Sequence, residues 1–214
     1  MRFARGVDKV DLKTQLPAYR APRGRYEIVD VPDADYLMVD GAGDPNTSPA
    51  YADALAALYP VAYALKFASK RELERDYVVP PLEGLWWADD MSTFTTARDK
   101  TRWSWTMMLM VPEWVPATFV DDAVARVREK GAPARLDDVR LARLSEGRCV
   151  QTLHVGSYDD EAPVLDRMHH EFIPAHDLRL SGTHHEIYLS DARRVAPEKL
   201  RTILRQPVAG LTES

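Results

Sequence analysis

The residue in this chain best suited to chemistry is a carboxylate in an otherwise apolar and aromatic stretch: Glu186, in Thr183-His184-His185-Glu186-Ile187-Tyr188-Leu189. The stretch has strand character, and successive strand residues point to opposite faces. Glu186 and Tyr188 therefore share one face, and His185, Ile187 and Leu189 the other. A carboxylate facing the middle of a domain must be paired, solvated by a pocket or protonated. In a pocket with aromatic walls such a group suits general-base or general-acid work near neutral pH. It also suits holding a cationic ligand against aromatic faces. The plain alternative is an edge-strand glutamate that faces water.

Aromatic walls are available. Four of the five tryptophans stand on two strand-like segments, Leu82–Trp87 and Arg102–Met110. Alternation gives Trp103, Trp105 and Met107 one face and splits Trp86 from Trp87. If the strands are neighbours, indoles and thioethers line one sheet face. That face is either core or the wall of a pocket for a flat, apolar ligand. Tyr63 joins the candidates because a buried phenol needs a polar partner, which a cleft supplies. Trp114 is expected at a rim.

Other chemistries fit poorly. His169-His170 and His184-His185 do not converge: adjacent strand residues diverge, and helical neighbours differ by about 100°. With no HExxH or CxxC spacing, no metal is expected. Asp40-Gly41-Ala42-Gly43 lacks the third glycine of a dinucleotide loop, and Asp44-Pro45 follows where a phosphate would sit. The single cysteine, Cys149, lies mid-strand and reads as an apolar filler, and one cysteine permits no intrachain disulfide. No cofactor is expected.

The 214 residues carry a net charge of −5, with 45% hydrophobic and 29% charged residues, as in soluble globular domains. This balance disfavours nucleic acid as a partner. No apolar run reaches the ~20 residues that span a bilayer, and the first residues lack a signal core. The expected setting is the cytoplasm, with no membrane partner.

These residues must be positioned by alternating strands and helices. Residues 1–24 read as a surface arm. Strands are predicted at 26–31, 36–39, 76–80, 84–88, 102–111, 139–144, 149–155, 183–189 and 199–205. Ser48-Pro49 should start a helix to about Lys70, with Ser48 as cap and Pro60 kinking or dividing it. Asp121-Asp122 should cap a second helix ending at Gly131. A third is predicted over 162–173, ended by Pro174. Strand, turn, strand, Gly-rich break, helix and strand occur in order at 26–88 and again at 139–189. The order predicts a duplicated α+β fold, with two copies packed about a pseudo-twofold axis to bury their bare sheet faces.

Several motifs carry a family resemblance: Leu82-Glu83-Gly84-Leu85-Trp86-Trp87, Asp40-Gly41-x-Gly43-x-Pro45, Ala57-Leu58-Tyr59-x-x-x-Tyr63-x-x-Lys66-Phe67, Val155-Gly156-Ser157-Tyr158, and His184 through Asp191. Together the chain resembles the GyrI-like small-molecule-binding proteins over residues 20–206. The resemblance implies tandem βαββ units with antiparallel sheets around a central cleft. It implies a domain over 25–206 with halves near 25–115 and 136–206, then a tail from 207. Lacking an N-terminal helix-turn-helix, the chain is similar to the stand-alone bacterial form. The resemblance places the cleft glutamate at Glu186 and cleft aromatics at Trp86 or Trp87, Trp103 or Trp105, Tyr63 and Tyr188, with Tyr158 opening the third helix. One subgroup hydrolyses strained cyclopropane rings in DNA-alkylating natural products.

Three readings stay open. In the first, Glu186 deprotonates water and Tyr188 or Tyr63 hydrogen-bonds the developing oxyanion of a strained electrophile, which detoxifies it. In the second, the same cleft sequesters drugs or metabolites without altering them. In the third, the aromatic surface is a homodimer interface.

Overall fold

The computed structural model describes residues 8–89 and 99–211. The arm holds strand β1 (Lys9–Val10), the short helix α1 (Leu12–Gln15) and a 3₁₀ turn at Pro17–Tyr19. The first half of the domain contributes β2 (Glu27–Val31), β3 (Ala34–Ala42), α2 (Pro49–Glu72), β4 (Asp76–Tyr77), β5 (Leu82–Trp87) and β6 (Ser104–Val111). Helix α3 (Thr118–Gly131) follows. The second half contributes β7 (Arg140–Leu144), β8 (Gly147–Val155), α4 (Ala162–Arg167), a π-helical turn (Met168–Phe172), α5 (Ile173–Ala175), β9 (Leu178–Leu180), β10 (His184–Tyr188) and β11 (Arg201–Gly210). No described helix is long and apolar enough to cross a membrane.

The main sheet runs β2-β8-β11-β10-β5-β6-β3-β7, with β9 beside β11. Its centre explains the duplication. Units β3-α2-β5-β6 and β8-α4-β10-β11 meet where β5 pairs antiparallel with β10, in the register Leu82↔Tyr188, Gly84↔Glu186, Trp86↔His184. Strand β2 leaves its own half to pair with β8, and β7 pairs with β3. The halves thus join edge to edge into one continuous sheet. This differs from the expected burial of one bare face by the other: each half covers its face with its own helix.

One face carries both helical layers. Leu37, Val39, Trp105, Met107 and Leu109 pack under Leu58, Val61 and Leu65 of α2, which is backed by Val120, Ala123 and Val127 of α3. Val150 and Leu204 pack under Met168 and Ile173. Between these two cores the strands β5 and β10 form the floor of a cleft. The opposite face is covered centrally by the arm, where Leu12 and Tyr19 pack on Ile187 and Ile203. The predicted surface arm is therefore partly core.

Local differences have local causes. Helix α2 runs unbroken through Pro60, because Ala57, Leu58, Val61, Ala62 and Leu65 around it are all buried. Its interior packing outweighs one missing hydrogen bond. Ser48 makes no side-chain cap bond, and Pro49 alone marks the start. Helix α3 begins at Thr118, three residues before the acidic pair; its cap position is Ala117, and Asp121 sits in the first turn. There the carboxylate faces the positive end of the helix dipole. The third helix continues two residues past the predicted end and through Pro174, which stands in the first turn of α5 after a π turn. Strand β9 has no counterpart in the predicted elements.

Candidate functional site

Three side chains of β10 line the cleft floor in sequence: His184, Glu186 and Tyr188. Glu186 and Tyr188 form one end of a hydrogen-bond chain. The Trp86 indole N–H donates to the Tyr188 hydroxyl at 3.0 Å, and that hydroxyl donates to Glu186 Oε2 at 2.7 Å. Across the strand pair, Glu186 faces Gly84. A Cβ at Gly84 would lie 2.8 Å from Trp86 Nε1 and 3.3 Å from the Tyr188 hydroxyl. The absence of a side chain there is what lets indole, phenol and carboxylate meet. The Glu186 side chain keeps 15% of its exposure, so its second oxygen can still meet water or ligand.

Aromatic groups surround this carboxylate. Tyr158 meets Tyr188 edge-to-face at 5.6 Å from the second half. Tyr51, in the first turn of α2, meets Trp105 edge-to-face at 5.4 Å from the first half. Burial, and then neighbouring carboxylates including Glu186, push the Tyr158 phenol up to about 12. Burial and then Glu186 push Tyr51 and Tyr188 up too, Tyr188 well above the usual range. All three phenols therefore stay protonated and act as hydrogen-bond donors at neutral pH. At the cleft mouth Trp103 stands edge-to-face to Trp86 at 5.8 Å. Lys100 crosses from this side to Asp159 of the second half, with Nζ 3.0 Å from Oδ1.

The structure brings Glu186, Tyr188, Trp86, Trp103 and Tyr158 together. It places others elsewhere. Trp105 and Met107 are fully buried in the core beside the cleft. The Trp105 ring lies on Gly41, where a Cβ would meet it at 2.1 Å, and its N–H donates to the Gly43 carbonyl. Trp87 falls on the opposite face from Trp86 and pairs with Ser104. Tyr63 is 47% exposed on the outside of α2, stacked with Phe67. It lines a separate hollow of about 430 Å³ with Phe67, Arg126 and Lys130.

Two cleft residues escaped the sequence reading. Tyr51 and Tyr63 are twelve residues apart on one helix. At about 100° per residue, each four-residue step advances the stripe, so a tyrosine facing the cleft at 51 has turned outward by 63. The helical stripe held the signal, and assigning it to its far end missed Tyr51. His184, which the sequence offers only as half of a diverging histidine pair, shares a face with Glu186. Among the described residues no group of three or more His, Cys, Asp or Glu is placed to hold a metal ion.

A second polar centre lies behind the cleft, under the arm. His185 sets Nδ1 3.0 Å from Glu146 Oε1 and Nε2 2.9 Å from Glu83 Oε2, the latter pair close but off hydrogen-bond alignment. Arg205 donates to Glu146 Oε2 at 2.9 Å and to Gln151. Tyr19 donates to Glu83 Oε1 at 2.6 Å. Burial would lower the His185 pKa, but the two carboxylates outweigh it and hold it up at about 9. Burial likewise opposes ionisation of Glu146, yet His185 and Arg205 bring it down to about 2.

A family model for the GyrI-like small molecule binding domain matches residues 25–209. The chain belongs to this family. An uncharacterized conserved protein from Listeria innocua is 38% identical, covering 94% of this chain and all of that one, with a TM-score of 0.85. A hydrolase from Listeria innocua is 36% identical over the same shares, with a TM-score of 0.81. The C-terminal domain of EcmrR, 10% identical, covers 87% of this chain and 98% of its own with a TM-score of 0.53, a likeness of fold alone. Among curated proteins none matches significantly. The GyrI-like domain is a small-molecule-binding domain, and aromatic side chains surround the carboxylate of Glu186 between β5 and β10.

Proposed function

We propose that this GyrI-like protein hydrolyses flat, strained electrophiles, of the class of cyclopropane-fused dienones, and so detoxifies them. The observation that carries the reading is the chain Trp86–Tyr188–Glu186, which fixes one carboxylate oxygen and leaves the other toward the cleft. A ligand ring stacks against the exposed edges of Trp103 and Tyr158. Glu186 removes a proton from a water aimed at the strained carbon. Ring opening sends electrons to the ligand's ring oxygen, and the neutral phenols of Tyr51 and Tyr158 are the donors available to it. Tyr188 holds Glu186 in place, a positioning role that replaces the oxyanion role expected from sequence. The 36% identical Listeria protein described as a hydrolase supports an enzymatic reading of this cleft.

Mass spectrometry of a duocarmycin-like cyclopropane compound incubated with the protein tests this, with tryptophan fluorescence followed in parallel. The expected result is a gain of one water, abolished in Glu186→Gln while quenching persists. Hydration that continues unchanged in Glu186→Gln would remove Glu186 from the mechanism. One observation favours a non-catalytic binder instead: a carboxylate ringed by Tyr51, Tyr158 and Tyr188 also suits a cation. Quenching without any change of mass, weakened selectively for cationic ligands by Glu186→Gln, would select that reading.

A further inference from the structure

Glu186 has a second polar neighbour. His184, two residues earlier on the same face of β10, sets Nε2 3.6 Å from Glu186 Oε1. It is only 6% exposed, and neither of its ring nitrogens makes a hydrogen bond. Above it stands His169 of the π turn, edge-to-face with ring centroids 6.3 Å apart. The Nε2 of His169 is also buried without a hydrogen bond. The next residue, His170, follows at 6.5 Å. Its exposed ring sets Nδ1 2.8 Å from Asp166 at the surface.

Three buried imidazole nitrogens without partners are costly, at about 1–3 kcal/mol each, and call for an explanation. An inert core would fill this place with apolar side chains. What the three rings share is a direction: they step from the carboxylate at the cleft floor to solvent on the outer side of the π turn. A π turn often marks a functional site because it displaces side chains from the regular helical stripe.

We propose that His184 accepts the proton that Glu186 removes from water, and that His169 and His170 carry it to solvent. This rests on the hydrolytic reading of Glu186 given above. The balance is simple. One water O–H bond breaks, and its oxygen bonds the ring carbon. The strained C–C bond breaks, and its electron pair ends on the ligand's ring oxygen, which takes a proton from solvent. The water's proton passes from Glu186 to His184, then to His169, His170 and bulk water, leaving all three rings neutral. The gaps between the rings close by rotation of the imidazoles; catalytic hydrogen bonds are commonly long before substrate binds. Burial, and then His184 and His170, lower the His169 pKa to about 4, so His169 passes a proton on and does not trap it.

The test is rapid-quench kinetics of the duocarmycin-like cyclopropane compound with the full-length protein. In His169→Phe, one equivalent of hydrated product should form at the wild-type rate. Later turnovers should then slow by about 10-fold or more, because Glu186 stays protonated. Added free imidazole should restore them, an effect that a merely structural role would not give. His170 is exposed, so His170→Phe, expected to behave in the same way, keeps the test decisive if His169→Phe misfolds. Later turnovers that match the wild type at every imidazole concentration would overturn the relay and leave Glu186 as base. No hydrated product from the wild-type protein would overturn that base as well as the relay.

Discussion

His185 and Glu186 are neighbours in the chain and serve opposite faces of the sheet. Glu186 looks into the cleft with one oxygen held by Tyr188. His185, fully buried, ties Glu83 and Glu146 together beneath the N-terminal arm. The strand β10 thus separates the candidate site from an ionic centre that joins Glu83 of the first half to Glu146 of the second beneath the arm.

That separation predicts opposite outcomes for adjacent substitutions. Glu186→Gln keeps an acceptor for the Tyr188 hydroxyl, and its stability should stay within about 1 kcal/mol of wild type. His185→Phe leaves two buried carboxylates with one cation fewer. It should cost about 3–5 kcal/mol. Urea unfolding of the two variants checks this, and equal losses in both would refute the division of labour between the faces.

The same centre predicts a pH dependence with a definite sign. A histidine whose pKa is raised on folding stabilises fully below its unfolded value, near 6.5, and loses that contribution as pH rises through about 9. Wild-type stability should therefore fall between pH 6.5 and 9, by on the order of 3 kcal/mol from this group. Glu146 acts at the other end: its contribution is present above about 4.5 and lost as pH falls toward about 2. In His185→Gln the alkaline slope should flatten, and the Glu146 titration should move up toward its ordinary value because His185 helps hold it down. Denaturation midpoints compared at pH 6 and 9.5 measure it; an identical slope in both proteins would assign the loss to other groups.

Much of this architecture was legible in the sequence, because its signals are local. Alternation in Thr183–Leu189 placed Glu186 and Tyr188 on one face and His185 on the other, and the structure has them so. The repeated element order announced the duplication. What could not be read was long-range. Nothing in the chain near His185 says that Glu83, Glu146 and Arg205 will surround it. Nothing near Arg201–Gly210 says that this strand will pair with β8, β9 and β10. Strand alternation separated Trp86 from Trp87 without saying which faced inward; the neighbouring register decides that, through Trp86↔Trp105. Tyr63 points away from the cleft over β5 and β10 because the stripe of α2 rotates along its length.

That rotation can be tested directly. Tyr63→Ala lies outside the cleft and should leave ligand-induced tryptophan quenching unchanged. Tyr51→Ala removes a cleft wall and the edge-to-face partner of Trp105. It should weaken binding of flat aromatic ligands by about 1–2 kcal/mol, the scale of one aromatic contact. Fluorescence titration of both variants with one ligand gives the comparison. A larger loss in Tyr63→Ala would move the binding site to the outer hollow beside Phe67.

The most local prediction concerns Gly84. It is extended backbone in mid-strand, so the requirement for glycine there is one of space, since alanine can adopt the conformation. A methyl group would press on the Trp86 indole nitrogen and crowd the Tyr188 hydroxyl. Both belong to rigid aromatic side chains held by packing, so relief must come from shifting the hydrogen-bond chain itself. Gly84→Ala should cost about 1–3 kcal/mol in stability. Its larger effect should be on the cleft, because a displacement of about 1 Å in a positioned group can cost on the order of 100-fold in rate. Hydration of the cyclopropane compound should then fall far more than the unfolding midpoint. Gly41→Ala is the contrast. Its Cβ would run into the fully buried Trp105 ring, so it should damage folding first and activity only in proportion to the folded fraction. If Gly84→Ala also loses activity only in proportion to its folded fraction, the alignment of Trp86, Tyr188 and Glu186 is not what the cleft depends on.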